Sequence, residues 1–188
     1  MIRTHVVIAG TGRAGTTLIV QILTELGLDT GFEKGVEVDS KIKAGLESDI
    51  RKDDAPYIIK SPWFYLRARH IYSLPDITID HMFVPIRELY NAAESRRVLQ
   101  KGGMRRGLIR TGSLEEGDQE KELAFIFYKL MRDVSDTNIP VTMIRYPKLA
   151  KDSEYLYKKL NPVLKNITYG EFKSAFYKVL KPEWVKSK

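Results

Sequence analysis

The chain has 188 residues, 43% of them apolar and 29% charged, enough for one domain with a full core and too few for two. It contains no cysteine, which excludes a disulfide scaffold, a thiolate metal site and a cysteine nucleophile and fits a cytoplasmic protein. The formal net charge of +7 asks for an anionic partner. No RNP, zinc-finger or helix-turn-helix signature accompanies the basic stretches KGGMRRGLIR (101–110) and KVLKPEWVKSK at the C-terminus, so a small, highly anionic ligand is favoured over nucleic acid. The three histidines are dispersed, and no zinc site is expected. No apolar run reaches spanning length, so no membrane span is expected. The apolar part of MIRTHVVIAG is too short for a signal peptide.

In chain order, HVVIA (5–9) is expected as the first strand. A glycine-rich turn follows, then a helix whose apolar face is Leu18, Ile19, Ile22, Leu23 and Leu26, stopped by Gly27. A weaker helical pattern covers 41–52. YIIK (57–60) is the next strand, 63–73 a helix, IDHMFVPI (79–86) a strand and 88–100 a helix. The stretch KGGMRRGLIRTGSLEEGDQE (101–120) breaks the rhythm and is expected as a mobile loop, either a solvated linker or a lid. Leu123, Ile126, Phe127, Leu130 and Val134 mark another helix, VTMIRY (141–146) a strand, and 148–160 and 170–180 two helices. Strands alternating with helices imply a single three-layer α/β domain with a mostly parallel sheet of about four to five strands. Ligands of such domains bind beyond the carboxyl ends of the strands.

The turn after the first strand admits two readings. GTGRAG is a dinucleotide fingerprint, and GTGRAGTT is a P-loop with Thr16 in the lysine position. The first needs a second strand ending in an acid about 20 residues on. LGLDTGFEKGVEVDS supplies Asp29, Glu33, Glu37 and Asp39, but no apolar strand leads into any of them. The second needs the lysine and a strand-end Asp for Mg²⁺, and neither is found. What remains is a P-loop-like cradle that holds phosphate with backbone N–H groups and a helix N-terminus, its positive charge moved forward to Arg13. A second constellation lies at Arg87, on the end of the 79–86 strand, with Ser95 eight residues later. On a helix that is roughly 12 Å of rise. An arginine fork with a hydroxyl can clamp a further phosphate. A nucleoside phosphorylated at two sites fits the pair better than a simple dinucleotide.

With these motifs the chain resembles the sulfotransferases that use 3′-phosphoadenosine 5′-phosphosulfate (PAPS). Their loop, Pro-(Lys/Arg)-Ser-Gly-Thr-Thr, is matched by GRAGTT (12–17), and their strand-end arginine with a serine eight residues on by Arg87 and Ser95. IIKSPWFYL (58–66) resembles the family's Lys-x-Pro segment, and MIRYPKLAKDSEYLYKKL (143–160) its strand-end Tyr-Glu-x-Leu segment. The resemblance covers about residues 5 to 160. Gly12, Ala14 and Pro147 depart from the family's Pro, Ser and Glu, and the family's Arg-Lys-Gly triplet near the C-terminus is missing, with Arg105 and Arg106 as candidate substitutes.

The resemblance implies sulfuryl transfer from PAPS to a hydroxyl or amine, by in-line displacement and without a metal. Gly12, Arg13, Ala14, Gly15, Thr16 and Thr17 are implied to hold the 5′-phosphosulfate, Arg87 and Ser95 the 3′-phosphate, and Tyr146 to lie near the nucleoside. Arg13 and Lys60 are the implied cations for the leaving group. The implied base is Glu33, 20 residues past Arg13, with Glu37 and His70 as the alternatives. The acceptor is a small molecule, a carbohydrate or a peptide. A P-loop kinase of a small metabolite and a non-catalytic nucleotide-binding module are the competing functions.

Overall fold

The computed structural model describes residues 2–38, 45–101, 115 and 117–180. Four strands form one sheet: β1 (Arg3–Ile8), β2 (Ile58–Lys60), β3 (Ile77–Ile86) and β4 (Val141–Arg145). Their order is β2-β1-β3-β4, and every pair is parallel. The helices are α1 (Thr16–Glu25), α2 (Phe64–Tyr72), α3 (Leu89–Lys101), α4 (Asp118–Ser135), α5 (Lys148–Lys151), α6 (Ser153–Leu160) and α7 (Tyr169–Val179). Among the described residues, no helix is long and apolar enough to cross a membrane.

The central run of the sheet, in β1, β2 and the second half of β3, is apolar on both faces because both faces are covered there. Val6, Ile8, Ile58, Phe83 and Ile144 pack with residues of α1, α6 and α7. The alternate residues Val7, Ile59, Met82 and Val84 pack with residues of α2 and α4. Two cores with one sheet between them make the domain three-layered, the arrangement that near-continuous apolar strands demand. Arg97 on α3 joins Glu120 on α4 through two parallel hydrogen bonds of 2.9 Å, which ties the two helices together.

Local chemistry sets the helix ends. Gly27 closes α1 in a left-handed conformation, with Leu28 N–H on the Leu23 carbonyl and Gly27 N–H on the Thr24 carbonyl. This is the paired bonding of a Schellman cap. Thr168 and Glu171 cap the start of α7 reciprocally. Three expectations change. The 148–160 helix is two helices: Asp152 leaves the helical region, and its carboxylate caps the Tyr155 N–H at 2.8 Å. Within 41–52, the described residues 45–52 are not helical, because this segment runs beside β2, with Ser48 N–H bonded to the Lys60 carbonyl. The 101–120 loop lies mostly outside the described residues, but its last positions belong to α4, which begins at Asp118.

Two histidines of the sheet make stability depend on pH. His5 is buried and donates from Nδ1 to the Pro56 carbonyl at 2.8 Å, leaving Nε2 enclosed without a partner among the described residues. Burial holds both His5 and His81 below the ordinary imidazole pKa. The unfolded chain therefore takes up protons that the folded chain refuses. Stability is full above about pH 6.5 and is lost as the pH falls through the window below it. Thermal unfolding should give a lower Tm at about pH 5.5 than at about pH 7.5; a Tm that rises on acidification contradicts this.

Candidate functional site

Topology locates the site. The chain leaves β1 through α1 to β2 on one side, then returns across β1 through α2 to β3 on the other. The order of the sheet reverses between β1 and β3, which opens a crevice at their carboxyl ends. The glycine loop follows β1 into that crevice, and Arg87 follows β3 into it.

The loop 10–15 is tightly wound. Gly12 (φ 75°), Arg13 (φ 59°) and Gly15 (φ 90°) are all left-handed. At Gly15 the conformation and the space both demand glycine: a Cβ there would lie 2.9 Å from Leu149 Cδ1 and 3.3 Å from the Tyr146 ring. Ala14 is buried beneath the loop. Gly15 begins α1, whose first turn holds Thr16 and Thr17. No acidic side chain of that first turn offsets the positive end of the helix.

The two sequence motifs meet here. Arg13 Nε donates to Ser95 Oγ at 3.1 Å, across 82 positions of sequence. Arg87 Nη1 donates to the Arg13 carbonyl at 3.2 Å, and its guanidinium lies 4.8 Å from the centre of the Tyr146 ring. Tyr146 is held by its own N–H on the Ile86 carbonyl at 2.7 Å. Burial, then the repulsion of Arg87 and of Arg96, brings the Arg13 guanidinium down to about 10, against the opposing pull of Tyr146. Arg96 is itself buried on α3 and lowered by desolvation, with Glu122 and Tyr65 acting the other way.

Lys60 completes the cationic rim. On β2 it shares a face with Ile58, two residues before it, and Ile58 packs on the α1 side of the sheet. The Lys60 ammonium accordingly reaches α1: it donates to Thr17 Oγ1 at 2.8 Å, to Glu47 Oε1 at 2.9 Å and to the Gly45 carbonyl. Only 2% of the Lys60 side chain is exposed. Desolvation lowers its pKa, Glu47 raises it, and Arg13 lowers it further. The crevice therefore collects Arg13, Arg87 and Lys60, with Arg96 buried behind Arg13, and adds three hydroxyls and the loop backbone. Such a donor set takes up phosphoryl or sulfuryl oxygens.

Gly12, Arg13, Ala14, Gly15, Thr16, Thr17, Lys60, Arg87, Ser95 and Tyr146 all lie at this edge. Of the proposed bases, Glu33 and His70 do not. Asp29 bonds the Tyr57 amide at the opposite, amino end of β2. The 33–36 turn then lies along α1, where Val36 accepts from Gln21 and Lys34 passes Gly27. A helix of ten residues separates that end from the loop by about 15 Å. Glu33 is exposed at that end. Glu37 is exposed farther up α1, between Val36, whose carbonyl accepts from Gln21, and Val38, which approaches Gly45 beside Lys60. His70 is exposed in the last turn of α2, which runs away from the crevice. Arg105 and Arg106 lie outside the described residues. Glu47, which the motifs left unmarked, reaches this edge through its ion pair with Lys60, and Glu88 lies there too, directly after Arg87 at the end of β3. The one sequence signal of Glu47 is its place in a polar stretch just before β2.

Fold and crevice together define a three-layer, all-parallel α/β domain with a glycine loop and a strand-end arginine facing each other across the reversal of strand order. No protein-family model matches the chain, and no curated protein matches it.

Proposed function

We propose that the chain is a PAPS-dependent sulfotransferase. One observation carries the reading: the Arg13–Ser95 hydrogen bond at 3.1 Å unites the loop motif and the Arg87/Ser95 motif in one constellation. Neither a kinase nor a hydride-transfer site calls for that union. The donor set suits a nucleotide with phosphates on two positions. The reading assigns one anionic group to the loop amides, Thr16, Thr17 and Lys60, and the other to the Arg87 fork and Ser95. When bound, PAPS supplies an activated sulfuryl group on a phosphate leaving group. In this reading Arg13 and Lys60 supply the preorganised cations that stabilise charge on the leaving oxygens. Tyr146 stacks on the Arg87 guanidinium and holds its fork in place. The acceptor enters from the open carboxyl edge of the sheet and is a small molecule, a carbohydrate or a peptide.

A thermal-shift panel without added metal tests this reading. 3′-Phosphoadenosine 5′-phosphate, the desulfonated product, is expected to raise Tm more than ATP with Mg²⁺ or NAD. A larger shift with ATP and Mg²⁺ supports the kinase reading instead. Turnover of PAPS against phenol, carbohydrate and peptide acceptors then separates an enzyme from a module that only binds the nucleotide.

A further inference from the structure

The Lys60 ammonium has three hydrogen-bond donors, and the protein occupies all three: Thr17 Oγ1 at 2.8 Å, Glu47 Oε1 at 2.9 Å and the Gly45 carbonyl. A ligand oxygen can reach this ammonium only by taking the place of one of them. Thr17 belongs to the first turn of α1, and Gly45 offers a neutral backbone oxygen. Glu47 differs from both. Its oxygen is anionic, like a ligand's, and its side chain is 28% exposed at the crevice while Lys60 is 2% exposed. It also sits on strained backbone: the preceding Leu46 has φ 63°. For a residue other than glycine, asparagine or aspartate that conformation is costly. The Leu46 side chain is packed against the core on the α1 side of the sheet.

We infer that Glu47 is the internal counter-anion of the Lys60 site. Its carboxylate holds a ligand oxygen's place on the ammonium and gives it up when a phosphate-bearing ligand binds. Two consequences follow from charge alone. Without ligand, the ion pair stabilises a lysine that would otherwise be buried beside Arg13. With ligand, the same carboxylate competes for the ammonium and lowers the apparent affinity by the fraction of molecules in which Glu47 occupies it. Glu47 thereby sets how much anionic charge the crevice requires. A weakly charged anion fails to displace it, and a multiply charged phosphate succeeds. The inference rests on the reading of the crevice as an anion site; it does not depend on which nucleotide the site takes.

The test is calorimetric titration of the whole chain with pyrophosphate, for wild type, E47Q and E47A, alongside Tm with and without the ligand. Glutamine keeps an oxygen for Lys60 and removes the charge; alanine removes both. The expected result has two opposite signs. Ligand-free Tm falls in both variants, while pyrophosphate binds roughly 10- to 100-fold tighter than to wild type, as expected when a charge at hydrogen-bonding range stops competing. A carboxylate that merely braced the loop would lose stability and affinity together. Weaker or unchanged binding in both variants, with wild type binding normally, overturns the role of Glu47 and leaves the anion site standing. Failure of all three proteins to bind pyrophosphate at millimolar concentration overturns the anion site and the inference together. Binding by the variants alone supports both. Should E47Q fail to fold, E47A gives the same signs.

Discussion

Replacing Arg87 by alanine is expected to weaken binding of 3′-phosphoadenosine 5′-phosphate by about 2–4 kcal/mol, the usual loss when one side of a buried charge pair is truncated. That is roughly 30- to 1,000-fold in Kd. The size follows from position. Arg87 follows directly on β3, its guanidinium is stacked on Tyr146 at 4.8 Å, and one arm is spent on the Arg13 carbonyl. These two contacts hold the guanidinium, so little rotamer entropy is lost when a phosphate arrives. Adenosine 5′-phosphate, which lacks the 3′ group, should lose much less. Arg87→Lys should behave nearer to alanine than to wild type, because an ammonium keeps the charge and loses the two-pronged geometry. If both nucleotides weaken alike, Arg87 serves only to hold the Arg13 carbonyl, and its assignment to the 3′-phosphate fails.

Gly15→Val is expected to be among the most destabilising single changes in the chain. A left-handed conformation costs a branched residue about 1–2 kcal/mol. The overlap adds roughly 1–3 kcal/mol, because the Cβ would meet Leu149 Cδ1 at 2.9 Å and both Leu149 Cδ2 and the Tyr146 ring at 3.3 Å, and Leu149 is fully buried. Together the loss is about 2–5 kcal/mol, a fall in Tm of roughly 5–15 °C for a chain of this size. Gly35 provides the control. Its φ is 76°, and nothing lies within 4 Å of a Cβ placed there, so Gly35→Val should carry the conformational penalty alone. Urea unfolding of both variants reads the difference directly. Equal losses at the two positions would mean that Leu149 and Tyr146 yield freely, and that the loop is less tightly seated than its contacts indicate.

The four strands were legible because each is a short apolar run, three of them rich in Val and Ile, a pattern that burial on both faces imposes on β1 and β2 and on the second half of β3. The glycine loop, α1 and its Gly27 stop were legible because their chemistry is local. The meeting of Arg13 with Ser95 could be anticipated only by joining two motifs 82 positions apart. Other features turn on contacts that no local pattern encodes. The break at Asp152 was hidden because the apolar spacing of 148–160 runs through it; the signal was the capping Asp ahead of Tyr155. The polar stretch before β2 has helix-compatible residues, yet a backbone hydrogen bond from Ser48 to the Lys60 carbonyl ties it beside the sheet, and 49–52 turns instead of winding into a helix. Glu33 looked well placed by its distance from Arg13 along the chain. The chain spends that distance descending α1, which leaves Glu33 near the amino end of the sheet. Glu47 gave no such hint, because its partner Lys60 sits on another element and the pair forms only once β2 is laid beside β1.

The most direct test of the central claim is a pair of metal-free calorimetric titrations on the wild-type chain, one with 3′-phosphoadenosine 5′-phosphate and one with adenosine 5′-phosphate. A crevice that uses the glycine loop for one phosphate and Arg87 with Ser95 for the other should prefer the doubly phosphorylated nucleotide by roughly 30-fold or more, the worth of one charged hydrogen-bonded pair. Equal affinities for the two nucleotides would contradict the account.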